Sequence, residues 1–325
     1  MAVVHRYTLQ CKGLSLVELL VALSLGVVLS FGAMNLLLQS KTSYYESEAL
    51  ARLQENGRYA LRYLSHELTM AGHFGSVLPG TPVDSTESGS ACFDYLMTTA
   101  SPLEHLSDVN SNGEADNGHS VLPQDCLVRG RHRPGTDLLL VRRTLNAPAV
   151  AAGERFATID SDAIYLRTAP IHAIPALQRG GGGLQADSEL WEYLPQVLFL
   201  RNYSLATDDG IPTLCRKRLG RSSNGMAPTE CLVEGIENLQ LEFGIDETGD
   251  EQADRFDPAP DPAEMAAAVA ARIYLLVRSV HPVAGYRDER SYTLGRTQVE
   301  APRDGYFRRV MQTTVLLRNR GISGR

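Results

Sequence analysis

The sequence predicts an α+β protein in which one very long N-terminal helix lays its second half on a head of mainly antiparallel β-sheet. Three observations carry this expectation. The run Leu14–Leu38 is apolar for 25 residues with a single charge, Glu18. The stretch after it keeps apolar residues at three-to-four spacing without a break, and alternating apolar segments recur from residue 137 to residue 318. With 43% hydrophobic and 21% charged residues the chain falls among folded proteins. Its formal charge of −7 argues against a general nucleic-acid binder.

As a helix, Leu14–Leu38 would be about 38 Å long, enough to cross a hydrocarbon core of about 30 Å with some tilt. Ahead of it lies MAVVHRYTLQCKG, with Arg6 and Lys12 and no acidic residue. By the positive-inside rule that end stays in the cytoplasm and the bulk of the chain is exported. A secretory signal carries its small-residue cleavage site after the apolar core. Here the small residue, Gly13, comes before it, which points to removal of a leader on the cytoplasmic side with the helix retained. Glu18 is the anomaly. An ionised side chain at mid-membrane costs roughly 2.5–3.5 kcal/mol, less near an end, so a plain anchor would only tolerate it. The run has no proline, and Gly26, Gly32 and Asn35 are its soft points.

From Gln39 onward Tyr45, Ala49, Leu53, Ala60, Leu64 and Leu68 mark one helical face, with Glu48 and Arg52 as a supporting pair on the other side. Gly72, followed by Gly75 and Pro79, supplies the stop. One helix from Leu14 to about Ala71 would measure about 87 Å. Residues 78–136, rich in Gly, Pro, Ser and Asp, read as a long irregular region that needs a staple. Strands are expected at 137–143, 162–168 and within 190–205, with the GGGG of 180–183 as a turn between them. ENLQLEFGID alternates most clearly, with Leu239, Leu241, Phe243 and Ile245 on one face and Gln240 and Glu242 on the other. Residues 272–279 and 310–318 complete the strands.

Cys11 stands apart before the apolar run, whereas Cys92, Cys126, Cys215 and Cys231 follow it, an even number suited to two disulfides in an oxidising compartment. Four cysteines allow three pairings. Cys92–Cys126 and Cys215–Cys231 are favoured because each closes a modest loop, worth roughly 3 to 4 kcal/mol; free buried thiols are the alternative. His66-Glu67 with His73 only resembles HExxH, because Met70 holds the second histidine's place; helix-surface residues are expected. GGGG lacks the Gly-Lys-Ser/Thr of a phosphate loop, no GxSxG elbow occurs, and no nucleophile–base pair stands out.

Two acidic stretches carry a secondary calcium reading. Asp108, Asn110, Asn112 and Asp116 follow the spacing of an EF-hand loop, but His119 stands where the bidentate Glu belongs. Asp246, Asp250 and Asp254 form the other, and for both a solvated acidic turn is the simpler account. Arg129, Arg131, His132 and Arg133, and Arg216, Lys217, Arg218 and Arg221, are basic clusters without interleaved aromatics. They read as exposed loop or subunit-contact charges rather than a nucleic-acid surface.

Gly13-Leu14-Ser15-Leu16-Val17-Glu18-Leu19-Leu20 resembles the class III signal of type IV prepilins and type II secretion pseudopilins. The resemblance implies a type IV pilin-like fold, cleavage between Gly13 and Leu14 by a prepilin peptidase, and N-methylation of Leu14, which stands where Phe is commoner. It also gives Glu18, fifth after the cut, a purpose. The cationic amine of Leu14 in a neighbouring subunit would pair with it as helices bundle, turning a costly carboxylate into a drive toward assembly.

Residues 53–75, 232–246, 271–279, Tyr292–Gly295 and 307–320 further resemble PilW-type minor pilins, leaving 78–230 as the variable part. The organisation implied is a leader at 1–13, a membrane or fibre-core helix at 14–38, its amphipathic continuation at 39–72, and a head at 73–325. The function implied is a non-enzymatic minor pilin that primes type IV pilus assembly at or near the tip and supports twitching motility and adhesion, without a cofactor. It would sit in the bacterial inner membrane with a periplasmic head before entering the pilus. Its partners would be other minor pilins and the major pilin, the prepilin peptidase, the inner-membrane assembly platform and a tip-associated adhesin. The alternatives are a J-like type II secretion pseudopilin and a membrane-tethered periplasmic enzyme or binding module.

Overall fold

The computed structural model describes residues 15–319 apart from 79, 86, 111–113, 116–121, 124, 128–130, 154–158, 169–173, 181–187 and 221–224. The leader, with Gly13 and Leu14, lies outside the described residues. A 55-residue helix, α1, runs from Leu16 to Met70. Compact packing divides the chain within it, one unit ending at Glu48 and the other starting at Ala49. Among the described residues of the first unit none is buried: the large apolar side chains from Leu16 to Leu38 are between 52% and 74% exposed.

The second unit continues with β1 (Asp84–Ser85), α2 (Ala91–Leu96), β2 (Leu103–Val109), β3 (Thr136–Val141), β4 (Ile164–Arg167) and β5 (Ala176–Arg179). Then come β6 (Leu190–Glu192), β7 (Gln196–Arg201), β8 (Thr213–Arg218), β9 (Glu230–Glu234) and β10 (Ile236–Ile245). After β11 (Arg255–Asp257) and α3 (Pro262–Ala266) the chain closes with β12 (Ala268–Arg278), β13 (Tyr292–Leu294), β14 (Thr297–Val299) and β15 (Arg308–Leu316). The sheets run β2-β3-β7-β8-β9, β11-β10-β12-β15 and β1-β5-β4-β6, with β13–β14 as a hairpin. Among the described residues every strand pairing is antiparallel except β1 with β5. The architecture is therefore α+β, a long N-terminal apolar helix followed by antiparallel sheets.

Alternation in the strands explains the layers. Leu139 and Val141 of β3 face α1 with Leu198, Leu200 and Leu214, while Leu138 and Leu140 turn to the opposite side. The second sheet adds Leu239, Leu241, Phe243 and Ile245 of β10 and Ile273, Leu275 and Val277 of β12 to the same core, against Leu53, Ala60, Leu64 and Leu68 of α1. At about 25 cal/mol per Å² of apolar area removed from water, this shared core is the main source of the head's stability. Gly57 lets the helix approach closely, since a Cβ there would lie 2.3 Å from Met311 Sδ. Beyond the first sheet a second core joins Phe93 and Leu96 of α2 to Phe199, Leu166 and Leu177.

The helix stops at Gly72, whose φ of 77° is open to glycine at little cost. Its N–H donates to Arg142 O, and Asn319 Nδ2 donates to Thr69 O, so the chain's last described residue caps the helix end.

Several expectations need correcting. Residues 78–136 are not wholly irregular: α2 and the seven-residue β2 lie there. The run 190–205 is two strands, β6 and β7, broken at Leu194–Pro195. Tyr45 is 63% exposed, so the buried face begins at Leu53. Gln240 and Glu242, read as the polar face of β10, are themselves buried. Thr297 Oγ1 of the β13–β14 hairpin donates to Gln240 Oε1 (3.0 Å), and Tyr274 OH of the neighbouring β12 donates to Glu242 Oε2 (3.1 Å). Of the GGGG turn only Gly180 is described.

Candidate functional site

At the start of α1, Ser15 and Glu18 form a reciprocal capping box. Glu18 N–H donates to Ser15 Oγ (3.2 Å), and Ser15 N–H and Oγ–H both donate to Glu18 Oε2 (3.0 and 3.1 Å). The S-x-x-E spacing ahead of an apolar run announces this local role, which sequence reading passed over. Both bonds converge on Oε2. A carboxylate offers about four acceptor positions, so Oε1 keeps its capacity for a cation. Glu18 thus sits in the first helical turn, at the head of an exposed apolar rod, with half its carboxylate engaged. By length and composition α1 is long and apolar enough to cross a membrane once. Whether Leu14 supplies the counter-charge lies outside the described residues.

The head's buried charges are structural. Glu67, expected on the helix surface, is only 2% exposed and receives Arg143 Nε at 2.7 Å and Nη2 at 2.9 Å. The signal for it was the Arg142-Arg143 pair ending an otherwise apolar strand, opposite a helix carrying one inward acid. His73 does not join Glu67 in any metal geometry. Its ring meets Trp191 edge-on, 5.8 Å between centroids, and burial followed by the Arg143 charge depresses its basicity. On β3, Asp137 ties three strands together: it accepts from Asp108 N–H (2.9 Å) and Leu241 N–H (2.6 Å) and lies 2.9 Å from His105 Nε2.

The cysteines are joined as Cys92–Cys126 and Cys215–Cys231. The first ties α2 to Cys126, beside which Asp125 accepts the Cys92 N–H; the second spans directly paired residues of β8 and β9.

The acidic loop after β10 is closed by its own amides. Asp246 accepts from Gly249 and Glu251 N–H, Asp254 from Glu247 and Thr248, and Asp250 from Gln252. Burial raises the Asp246 carboxyl, and the backbone N–H groups outweigh it and hold it low. In the other acidic stretch, Asp108 accepts from Gln240 Nε2 and Asn110 turns onto Glu114, while Asn112 and Asp116 lie outside the described residues. Among the described residues no three His, Cys, Asp or Glu side chains converge as metal ligands.

Arg216, Lys217 and Arg218 lie in β8, whereas Arg131 and Arg133 lie outside the named strands, Arg131 exposed as expected. Arg216 and Arg218 both reach Glu230 across the β8–β9 ladder, Arg216 also bonds Tyr63 OH, and Arg133 lies 3.5 Å from Glu237. His132 is buried against Asn110 O, and Arg129 and Arg221 lie outside the described residues.

Between α1 and β9 runs a groove of about 520 Å³, lined by Glu55, Asn56, Tyr59, Ser204, Leu232 and Glu234. Beside it Leu205 stands 93% exposed on a loop pinned by Asp209. That carboxylate accepts four backbone N–H groups, from Ser204, Leu205, Ala206 and Ile211. Burial acts to raise its pKa, and those four donors bring it down to about 2.

Comparison with the curated proteins gave no match. Among solved structures, the type IV-like pilin TTHA1219 from Thermus thermophilus is similar at 14% identity, over 82% of this chain and 96% of that one, with a TM-score of 0.37. The family comparison begins at 202, so it includes residues 202–230 of the stretch read as variable, and residues 53–75 fall outside it. Over residues 202–319 the chain matches the family of type IV pilus-assembly protein W, PilW.

Proposed function

We propose that this chain is a PilW-like minor pilin, made as a single-pass prepilin in the inner membrane with its N-terminus cytoplasmic and its head periplasmic. It is cleaved between Gly13 and Leu14, methylated on Leu14, and then joins sibling minor pilins to prime a type IV pilus, remaining at or near the tip. In that position it supports pilus biogenesis, twitching motility and adhesion, with the assembly platform, the major pilin and a tip adhesin as partners. The observation that carries the reading is a combination. An exposed apolar rod with one carboxylate in its first turn is continuous with a chain whose residues 202–319 match PilW. The role is structural and calls for no cofactor or catalytic group.

The leading experiment is mass spectrometry of the N-terminus of this protein from sheared pili. The expected product starts at Leu14 and carries one methyl group. A chain retaining residues 1–13 overturns the reading, and a processed chain that never enters pili converts it to a secretion pseudopilin. Two substitutions separate the roles of Glu18. Glu18→Gln preserves the capping box, which accepts Glu or Gln, but removes the charge; Glu18→Ala removes both. If charge pairing drives incorporation, both variants are processed yet excluded from pili. Normal incorporation of Glu18→Gln would leave only the cap.

A further inference from the structure

Sheet edges present unpaired N–H and C=O groups, and proteins ordinarily shield them by short length, bulges, charges, proline or a covering element. The edges of this head follow that rule with one exception. β1, β6 and β11 have two or three residues each, and Pro258 and Pro260 follow β11. The β2 edge is broken by a register shift between Leu106 and Val109, with Asp108 at φ 44°. The β9 edge ends in Glu230 and Glu234, is bonded to β8 through Cys231, and gives its Glu234 carbonyl to Asn56 Nδ2 of α1. β15 is long, has no proline or bulge, and carries its charges, Arg308, Arg309 and Arg318, only at or just beyond its ends. Its nine residues pair with β12 alone among the described residues, in unbroken register from Arg308 to Leu316, and no charge interrupts Val310–Leu317.

The ladder shows which groups are available. At its two ends Leu317 N–H donates to Val269 O and Ser279 N–H to Phe307 O. Antiparallel pairing alternates, so the odd-numbered residues of β15 face β12 and the even-numbered ones point their backbone outward. Arg308 O, which accepts from Arg290 Nη2, agrees with this. Val310, Gln312, Thr314 and Leu316 therefore turn both N–H and C=O away from the sheet, and Leu316 also exposes 62% of its surface.

We propose that this edge is a docking site for an extended segment of a sibling subunit, which adds to the β11-β10-β12-β15 sheet as a fifth strand. The inference rests on the minor-pilin reading for the identity of the partner, while the edge itself is read from the fold. The chemistry of the occupant follows from the site. Unpaired backbone donors and acceptors call for a chain in β conformation, and the uncharged Val310–Leu317 span suits β-branched and apolar residues opposite it. Arg309 and Arg318 flank the span, both exposed and neither in an ion pair among the described residues. They select a segment with carboxylates at its ends. A second copy is disfavoured: its own β15 carries Arg309 and Arg318, not carboxylates, at the two ends of the same span, while Arg308 is buried against Glu237, Asp288 and Asp304 and offers no free charge to either partner.

The test uses the full chain, affinity-tagged, as detergent-solubilised monomer and as complexes isolated from assembled pili. Backbone hydrogen exchange at residues 310, 312, 314 and 316 is expected to be fast in the monomer and at least about tenfold slower in the complex, with residues 311, 313 and 315 slow in both. Thr314→Pro removes an outward N–H without touching the ladder to β12, so the variant should fold with its disulfides intact yet incorporate about tenfold less. Thr313→Pro, which removes an inward bond, serves as the folding control, and Arg309→Glu with Arg318→Glu should also reduce incorporation. Unchanged exchange at the four residues in the complex, or full incorporation of Thr314→Pro, overturns the docking site. Protection of those residues in a homodimer formed without siblings overturns it in favour of self-pairing. Absence of the wild-type chain from pili instead overturns the minor-pilin reading, so the two failures are distinguishable.

Discussion

Removing one partner of the Glu67–Arg143 pair should be the most costly polar substitution on the helix–sheet face. The pair joins α1 to the end of β3 through two parallel hydrogen bonds of 2.7 and 2.9 Å, and Arg143 Nη1 adds a third to Thr144 O at 3.1 Å. Their side chains are 2% and 11% exposed, so neither charge regains water when the other is lost. Stranding a buried charge costs about 3–5 kcal/mol, a large share of the 5–15 kcal/mol that ordinarily stabilises a domain. Glu67→Ala and Arg143→Ala should each show that loss. Replacing both by Met, close in volume and without charge, should recover most of it, because the desolvation cost disappears with the attraction. The assay is urea unfolding of the disulfide-intact full chain in detergent, followed by Trp191. This is the chain's single tryptophan, and it meets His73, just past the end of α1, edge-on. Single losses below about 1 kcal/mol, or a double variant that merely sums them, would refute the reasoning.

Other substitutions probe the remaining supports. Gly57→Ala should destabilise the head by about 1–3 kcal/mol through overpacking against Met311, and Met311→Ala should relieve part of that cost in the unfolding assay. Because the folded pKa of Asp209 is depressed to about 2, its contribution is full above an unfolded value of about 3.9 and fades as pH falls toward 2. Limited proteolysis should accordingly show the 203–211 loop opening across that interval, and Asp209→Ala should show it open at neutral pH. Cys215→Ser with Cys231→Ser removes a loop closure across 16 residues and should cost about 3 kcal/mol; an unchanged unfolding midpoint would show that the edge strand needs no staple.

What the sequence makes legible depends on whether a strand's neighbours are apolar or charged. β10 is readable because Leu239, Leu241, Phe243 and Ile245 all enter one core. β3 is readable as a strand, although it is buried on both faces, because its apolar run is short and ends in Arg142-Arg143. β2 is hidden because His105, Ser107 and Asp108 interrupt the alternation, yet His105 and Ser107 are buried where local composition suggests a loop. β8 is hidden for a related reason. TLCRKR reads as a basic cluster until Glu230 on the neighbouring strand and Tyr63 on the helix are known to receive Arg216. In both cases the partner that neutralises a polar side chain is far away in sequence, and periodicity carries no information about it.

The same limit governs the two features proposed to act in assembly, and it explains why Glu18 and β15 must be read differently. Glu18 stands out from sequence alone because a charge in an apolar run is costly wherever that run ends up. Its local cap shows in addition that one oxygen is already engaged, so the neighbouring subunit of the proposed assembly need only supply a cation to Oε1. The β15 edge leaves no comparable trace: VMQTTVLL would be just as suitable for a central strand. Only when the topology puts it outermost does the uncharged stretch become informative. The flanking Arg309 and Arg318 then turn an unprotected edge into one that accepts acid-flanked strands and discourages its own copy. If the chain assembles as proposed, a strand added to its head would help to decide which subunit comes next.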